Sequence, residues 1–142
     1  MKYRMWCDGA CSGNPGPMTI AFVLAWLGGK RAEAYNIGNG TNNIAEFKSI
    51  LVGLNIIPDK KNSEVEIITD SQLAIGILSK NWKATANLEL VDELKILLRQ
   101  FKKVSFLKVK GHSGETGNEF CNKLAQEAFK QTYPIIHGNL PK

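Results

Sequence analysis

Three carboxylates are spaced in this sequence so that they can act together. Asp8 closes an alternating run, Lys2 to Cys7, and precedes a turn rich in glycine and proline that extends to Pro17. Asp70 closes a second β-type run, Glu64 to Thr69, and Glu46 falls in the first turns of an amphipathic segment. If the two Asp-ended strands lie side by side and parallel, both carboxylates emerge at the edge where open α/β sheets bind ligands. Three converging carboxylates repel one another and tend to hold a proton between them. A divalent cation relieves that repulsion, and oxygen-only ligands favour Mg²⁺ or Mn²⁺ over zinc. Two such ions about 3.5–4 Å apart form a clamp used in phosphodiester cleavage. Taken alone, Asp8 reads equally well as a hairpin residue, because Asp and Gly are ordinary turn formers.

The elements that must position these groups follow from hydrophobic period. Residues 2–8 alternate, with Tyr3, Met5 and Cys7 on one face and Lys2, Arg4, Trp6 and Asp8 on the other, which is a strand. Residues 18–27 are an apolar second strand, Gly28-Gly29 closes a hairpin, and residues 30–38 make a third strand. Three strands joined by short turns predict an antiparallel meander. Thr41, Asn42 and Asn43 each suit a helix cap. Phe47, Ile50, Leu51 and Leu54 then mark a helix over 43–57, stopped by Pro58. Residues 64–69 are a fourth strand, 71–80 a short helix and 88–101 a longer one. Residues 104–110 are a fifth strand, and a last helix starts near Asn118. Strands four and five, separated by helices, are candidates for parallel pairing through crossovers. The order predicts one α/β domain over 1–133, a mixed sheet of five strands flanked by helices, with 134–142 as a frayed tail.

Composition bounds the rest. The chain has 142 residues, 44% hydrophobic and 22% charged, which suits one soluble globular domain. No apolar run approaches the ~20 residues of a membrane helix, and no signal peptide is visible, so the expected compartment is the cytoplasm. The net charge of +5 permits an anionic partner without proving one. Cys7, Cys11 and Cys121 are an odd set that fits a reducing compartment. Joined with His112 they match no zinc spacing, and they read as core or turn residues. The first turn lacks the Gly-Lys-Ser/Thr ending of a P-loop.

Together the motifs resemble a type 1 ribonuclease H. They are Asp8-Gly-Ala-Cys-Ser-Gly-Asn-Pro-Gly-Pro17, Thr41-Asn-Asn-Ile-Ala-Glu46, Thr69-Asp-Ser-Gln72, Val109-Lys-Gly-His112, and Asn118-Glu119 with Leu124-Ala125. They stand in family order over residues 2 to about 130. The resemblance implies the ribonuclease H-like fold and cleavage of the RNA strand of RNA–DNA hybrids by a monomer using two Mg²⁺ or Mn²⁺ ions. It assigns the metal to Asp8, Glu46 and Asp70, and proton transfer or product release to His112. The plainer reading of His112 is an exposed loop histidine. Cys11, Asn14, Asn42, Asn43 and Gln72 would approach the RNA strand, whose 2′-hydroxyls line a wide, shallow minor groove. Thr85 and Asn87 resemble a pocket for a DNA-strand phosphate, although capping of the next helix explains them as well. Trp82 packs either on the DNA backbone or on the core, with the core favoured.

Two departures stand out. The chain lacks the basic, Trp-rich handle that many members carry between the helices meeting near residues 80–88, so it resembles the handle-less branch. Hybrid binding would then rest on scattered lysines such as Lys60, Lys61, Lys80, Lys83, Lys108 and Lys110, several of which read equally as solvated charges. The family motif also expects Asp three residues after Asn118-Glu119, where this chain has Asn122. Asn keeps the shape of Asp without its charge and offers a metal one neutral oxygen. Weakened binding of one ion, poor hydrolysis and retained hybrid binding are expected. Such an isosteric change is what one introduces to trap an uncleaved substrate; a natural protein with little or no activity is the alternative. The rival reading is a module that binds hybrids without cutting, and a remoter one is another phosphoryl-transfer enzyme on the same fold.

Overall fold

The computed structural model describes residues 1–110 and 116–141. β1 (Lys2–Cys11), β2 (Gly16–Trp26) and β3 (Gly29–Gly40) form the expected antiparallel meander. β4 (Glu64–Thr69) adds to β1 in parallel, and β5 (Lys103–Lys108) adds to β4 in parallel. The connections that turn the chain back are α1 (Asn42–Asn55) before β4, then α2 (Gln72–Ser79) and α3 (Leu88–Leu98) before β5, as parallel neighbours require. α4 (Thr116–Ala128) follows β5.

The alternation in β1 sorts side chains to two cores. Tyr3, Met5 and Cys7 are buried with Phe22 and Leu24 under Phe47, Ile50 and Leu54 of α1 and Val91 and Leu94 of α3. On the opposite face Ala21, Val23, Ala32 and Ala34 meet Cys121, Leu124, Ala125 and Ala128 of α4. The small strand residues let α4 lie close, and the buried Thr19 hydroxyl donates to the Ala125 carbonyl at 2.8 Å. Side chains as large as Phe22 and Phe47, with 0% and 2% exposure, each stabilise the fold by roughly 1.5–3 kcal/mol on burial.

One expectation is corrected. The sheet has six strands in the order β5-β4-β1-β2-β3-β6, because residues beyond Pro134 are not a frayed tail. β6 (Ile135–Gly138) pairs antiparallel with β3, from Arg31 opposite Gly138 to Ala34 opposite Ile135, and Ile135 is buried in the α4-side core. Lys60 is committed locally: its Nζ donates to the carbonyls of Ile57 at 2.8 Å and Asn55 at 3.3 Å, just past the end of α1. Those carbonyls have no partner within the helix, and a cation there suits the helix dipole.

Candidate active site

The strand register brings the first two carboxylates together. β1 and β4 pair from Lys2 opposite Glu64 to Trp6 opposite Ile68, and the same offset carried two residues on sets Asp8 level with Asp70. β1 does not end at Asp8. It runs on to Cys11 against β2, with Asp8 opposite Ala21, so Asp8 sits where β1 keeps one neighbour and loses the other. The chain turns after β4, where the Thr69 hydroxyl accepts from the Ser71 N–H at 3.1 Å and the Ser71 hydroxyl caps α2 through the Ala74 N–H.

Glu46 arrives from α1. Thr41, rather than Asn42 or Asn43, caps this helix, accepting from the Ile44 N–H at 3.3 Å. Gly9 is what allows the helix so close: a Cβ there would run into the backbone of Ala45 and Glu46. In return the Gly9 N–H donates to Glu46 Oε1 at 3.1 Å. Carboxylate oxygens of Asp8, Glu46 and Asp70 lie within 4.8 Å of one another. α4 supplies the fourth group, and Asn122 Nδ2 donates to Asp8 Oδ2 at 3.2 Å.

Asp8 is only 5% exposed, and burial raises its pKa to about 6, with the Asp70 charge adding to the rise while Asn122, Glu46 and the Gly9 N–H pull against it. Glu46 is pushed well above the usual carboxylate range by burial first and then by Asp8 and Asp70. The proximity of the three carboxylates therefore disfavours ionising all of them at once. Glu46 Oε2 is buried without a hydrogen-bond partner. A buried, unsatisfied oxygen beside two further carboxylates is the donor set of a hard cation such as Mg²⁺ or Mn²⁺. No other group of three His, Cys, Asp or Glu side chains able to hold a metal occurs among the described residues. Cys7 and Cys121 are buried and Cys11 half-buried, all as free thiols, in keeping with core and turn roles. His112 lies outside the described residues.

The remaining candidates surround the site unevenly. Cys11 donates toward the Gly40 carbonyl at 3.3 Å and ties the first turn to the end of β3. Asn14 Oδ1 accepts from the Asn42 N–H at 3.1 Å, bridging that turn to α1. Asn42 and Asn43 are exposed as the first two residues of α1, and Gln72 is exposed as the first of α2. Thr85 is exposed, and Asn87 precedes α3 with φ 58° and no side-chain capping bond. The capping explanation for Asn87 therefore fails at the side chain. Trp82 is not a core residue: it is 42% exposed, with its ring against Gly76 of α2, where a Cβ would collide with the indole. In the sequence Gly9 is only one glycine of a turn, whereas in the fold it makes room for α1. The signal was its place directly after the strand carboxylate.

A mixed sheet with helices on both faces, and carboxylates gathered where its parallel strands β1 and β4 separate, defines a ribonuclease H-like α/β protein. The chain belongs to the RNase H family, whose model matches residues 1–130. A Ribonuclease H of Desulforamulus reducens is 35% identical over 144 residues, covering 92% of this chain and 89% of that protein. Among solved structures, RNase H1 of the halophilic archaeon Halobacterium salinarum superposes with a TM-score of 0.77 at 27% identity, over 92% of this chain and 98% of that one. LC11-RNase H1, solved in complex with an RNA/DNA hybrid, shares the fold with a TM-score of 0.74 at 23% identity, over 89% of this chain and 99% of that one.

Proposed function

We propose that this protein is a metal-dependent endonuclease acting on the RNA strand of RNA–DNA hybrids, slowed by Asn122. The observation that carries the reading is the cluster of Asp8, Glu46 and Asp70, with carboxylate oxygens within 4.8 Å of one another and Glu46 Oε2 buried without a partner. Asp8, Glu46 and Asp70 would hold two divalent ions, Mg²⁺ or Mn²⁺, with Asn122 contributing at most one neutral oxygen. When bound, such ions supply the water activation and charge neutralisation that phosphodiester hydrolysis needs. Asp8 and Glu46 contribute as buried carboxylates that ionise on binding the cations, and the Gly9 N–H by holding Glu46 in place. His112 serves proton transfer or product release.

Substrate positioning falls to Cys11, Asn14, Asn42, Asn43 and Gln72 against the RNA minor groove, and to Thr85 and Asn87 against a DNA-strand phosphate. Amides suit a hydroxyl-lined groove because they both donate and accept. The Asn14 bridge to α1 makes the first turn and the helix start one continuous surface. The protein acts as a monomer in the cytoplasm.

The amide of Asn122 donating to Asp8 favours a second reading, a domain that recognises hybrids without cutting them. Strand-specific labelling of a hybrid, a double-stranded RNA and a single-stranded DNA, each incubated with Mg²⁺, tests the main reading. It requires RNA-strand products from the hybrid alone, lost in Asp70→Asn. Cleavage of either other substrate at the same rate would assign a different phosphoryl-transfer activity to the fold.

A further inference from the structure

A groove of about 590 Å³ lies on the α4 face of the sheet, on the far side of Trp6 from Asp8. Its floor is Val23, Ala25 and Ala32 of β2 and β3. Trp6 and Phe120 add aromatic walls, and Lys30, His137 and Thr116 line it as polar groups. None of this surface belongs to the carboxylate site, and no role proposed above uses it.

The groove is built rather than incidental. Its strand residues are small, so the sheet presents a flat apolar floor between α4 and β6. Trp6 is held in place: the Arg4 guanidinium stacks 5.0 Å from its ring centroid, and Gly117 abuts its five-membered ring so closely that a Cβ would collide. Phe120 leaves the buried row of Cys121, Leu124 and Ala125 and is 43% exposed at the opening. The volume falls within the roughly 300–1,000 Å³ of small-molecule sites, which are mostly apolar with few polar groups.

Charge narrows the occupant. Among the described residues no carboxylate lines the groove. Arg31, which also borders it, is committed to the buried Glu33 at 2.6 Å and to the Gly138 carbonyl. Lys30 is exposed and has no ion-pair partner among the described residues, so its ammonium is available to a ligand. A flat apolar floor, an aromatic wall fixed in position and an uncommitted ammonium at the rim suit a ring system that carries an acid.

We propose that this groove is a binding site for a small aromatic acid, its rings on Val23, Ala25 and Ala32 beside Phe120 and its anionic group at Lys30. The test uses 1-anilinonaphthalene-8-sulfonate as the anionic probe and N-phenyl-1-naphthylamine as its uncharged counterpart, on the full chain. The sulfonate should bind saturably, one per chain. Affinity should fall at least tenfold in Ala25→Phe, which fills the floor, or in Phe120→Ala, which removes a wall, and several-fold in Lys30→Glu. Each variant is read only if its thermal unfolding stays cooperative, since loosened proteins bind this dye non-specifically. Phe120→Ala serves if Ala25→Phe does not fold. Absence of saturable binding, binding unchanged in the folded variants, or equal affinity for the uncharged probe would overturn the proposal.

Discussion

Ionising Asp8 and Glu46 together is costly in the cation-free protein. Folding raises both pKa values, Asp8 to about 6 and Glu46 well above its usual range, so the folded state binds protons more tightly than the unfolded chain. The stability this contributes is fully present below the unfolded carboxylate value of about 4 and is lost as pH rises through the folded values. For Asp8 that is of order 2 kcal/mol between pH 4 and pH 7. Without divalent cations, the melting temperature should therefore fall across this range, and substituting Asp8→Asn should flatten the dependence. Added Mg²⁺ should raise the melting temperature more at pH 8 than at pH 5, because it binds the ionised carboxylates. At this scale the three carboxylates were legible, since Asp8 and Asp70 each follow a β-type run and Glu46 falls in the first turns of an amphipathic segment. The side-chain engagement of Lys60 and the exposure of Trp82 were not. The first depends on where the carbonyls ending α1 fall, the second on Gly76 coming under the indole.

At the scale of elements, the site depends on α1 crossing β1 at Gly9. Gly9→Ala would set a methyl group against the backbone of Ala45 and Glu46, which cannot yield as a flexible side chain would. Overpacking of this kind costs about 1–3 kcal/mol. The variant should melt at a lower temperature. Hybrid cleavage, measured with a cleaving background such as Asn122→Asp, should drop at least tenfold at 25 °C as Glu46 is displaced. A variant that loses stability while keeping full cleavage would show that Glu46 does not need this approach. The order of strands and helices was readable from period and turn residues; the cap of α1 was open among Thr41, Asn42 and Asn43, and the capping role of Ser71 was not foreseen. β6 was not, for a physical reason. Ile135 to Gly138 is too short to display an alternation, it follows Pro134, and only pairing with β3 makes it a strand. The length of β1 was also hidden, because the glycines and Pro15 after Asp8 mask a ladder with β2 that continues to Cys11.

At the scale of the molecule, a net charge of +5 without a basic handle predicts a weak, salt-sensitive grip on nucleic acid. Lys60 is engaged at the end of α1, and the exposed Lys61 lies before β4, at the end of that strand away from Asp70; Lys80, Lys83, Lys108 and Lys110 remain as exposed cations, with Lys108 paired opposite Thr69 next to Asp70. Four phosphate contacts would give a log–log slope of affinity against salt of about −3 to −4. Titrating a fluorescent hybrid between low and moderate salt measures this slope, and replacing Lys83 with Ala should reduce it by about one. An affinity indifferent to salt would remove these lysines from the interface. If the carboxylate site cuts RNA in hybrids and Asn122 leaves it one charge short, restoring that charge should restore the rate. The most direct measurement compares this chain with Asn122→Asp on an RNA-labelled hybrid in Mg²⁺, with both proteins shown to be folded. Asn122→Asp should cut the RNA strand at least a hundredfold faster, with similar hybrid affinity. Failure of both folded proteins to cut, or equal rates from the two, would rule out a hybrid-cutting site slowed by Asn122.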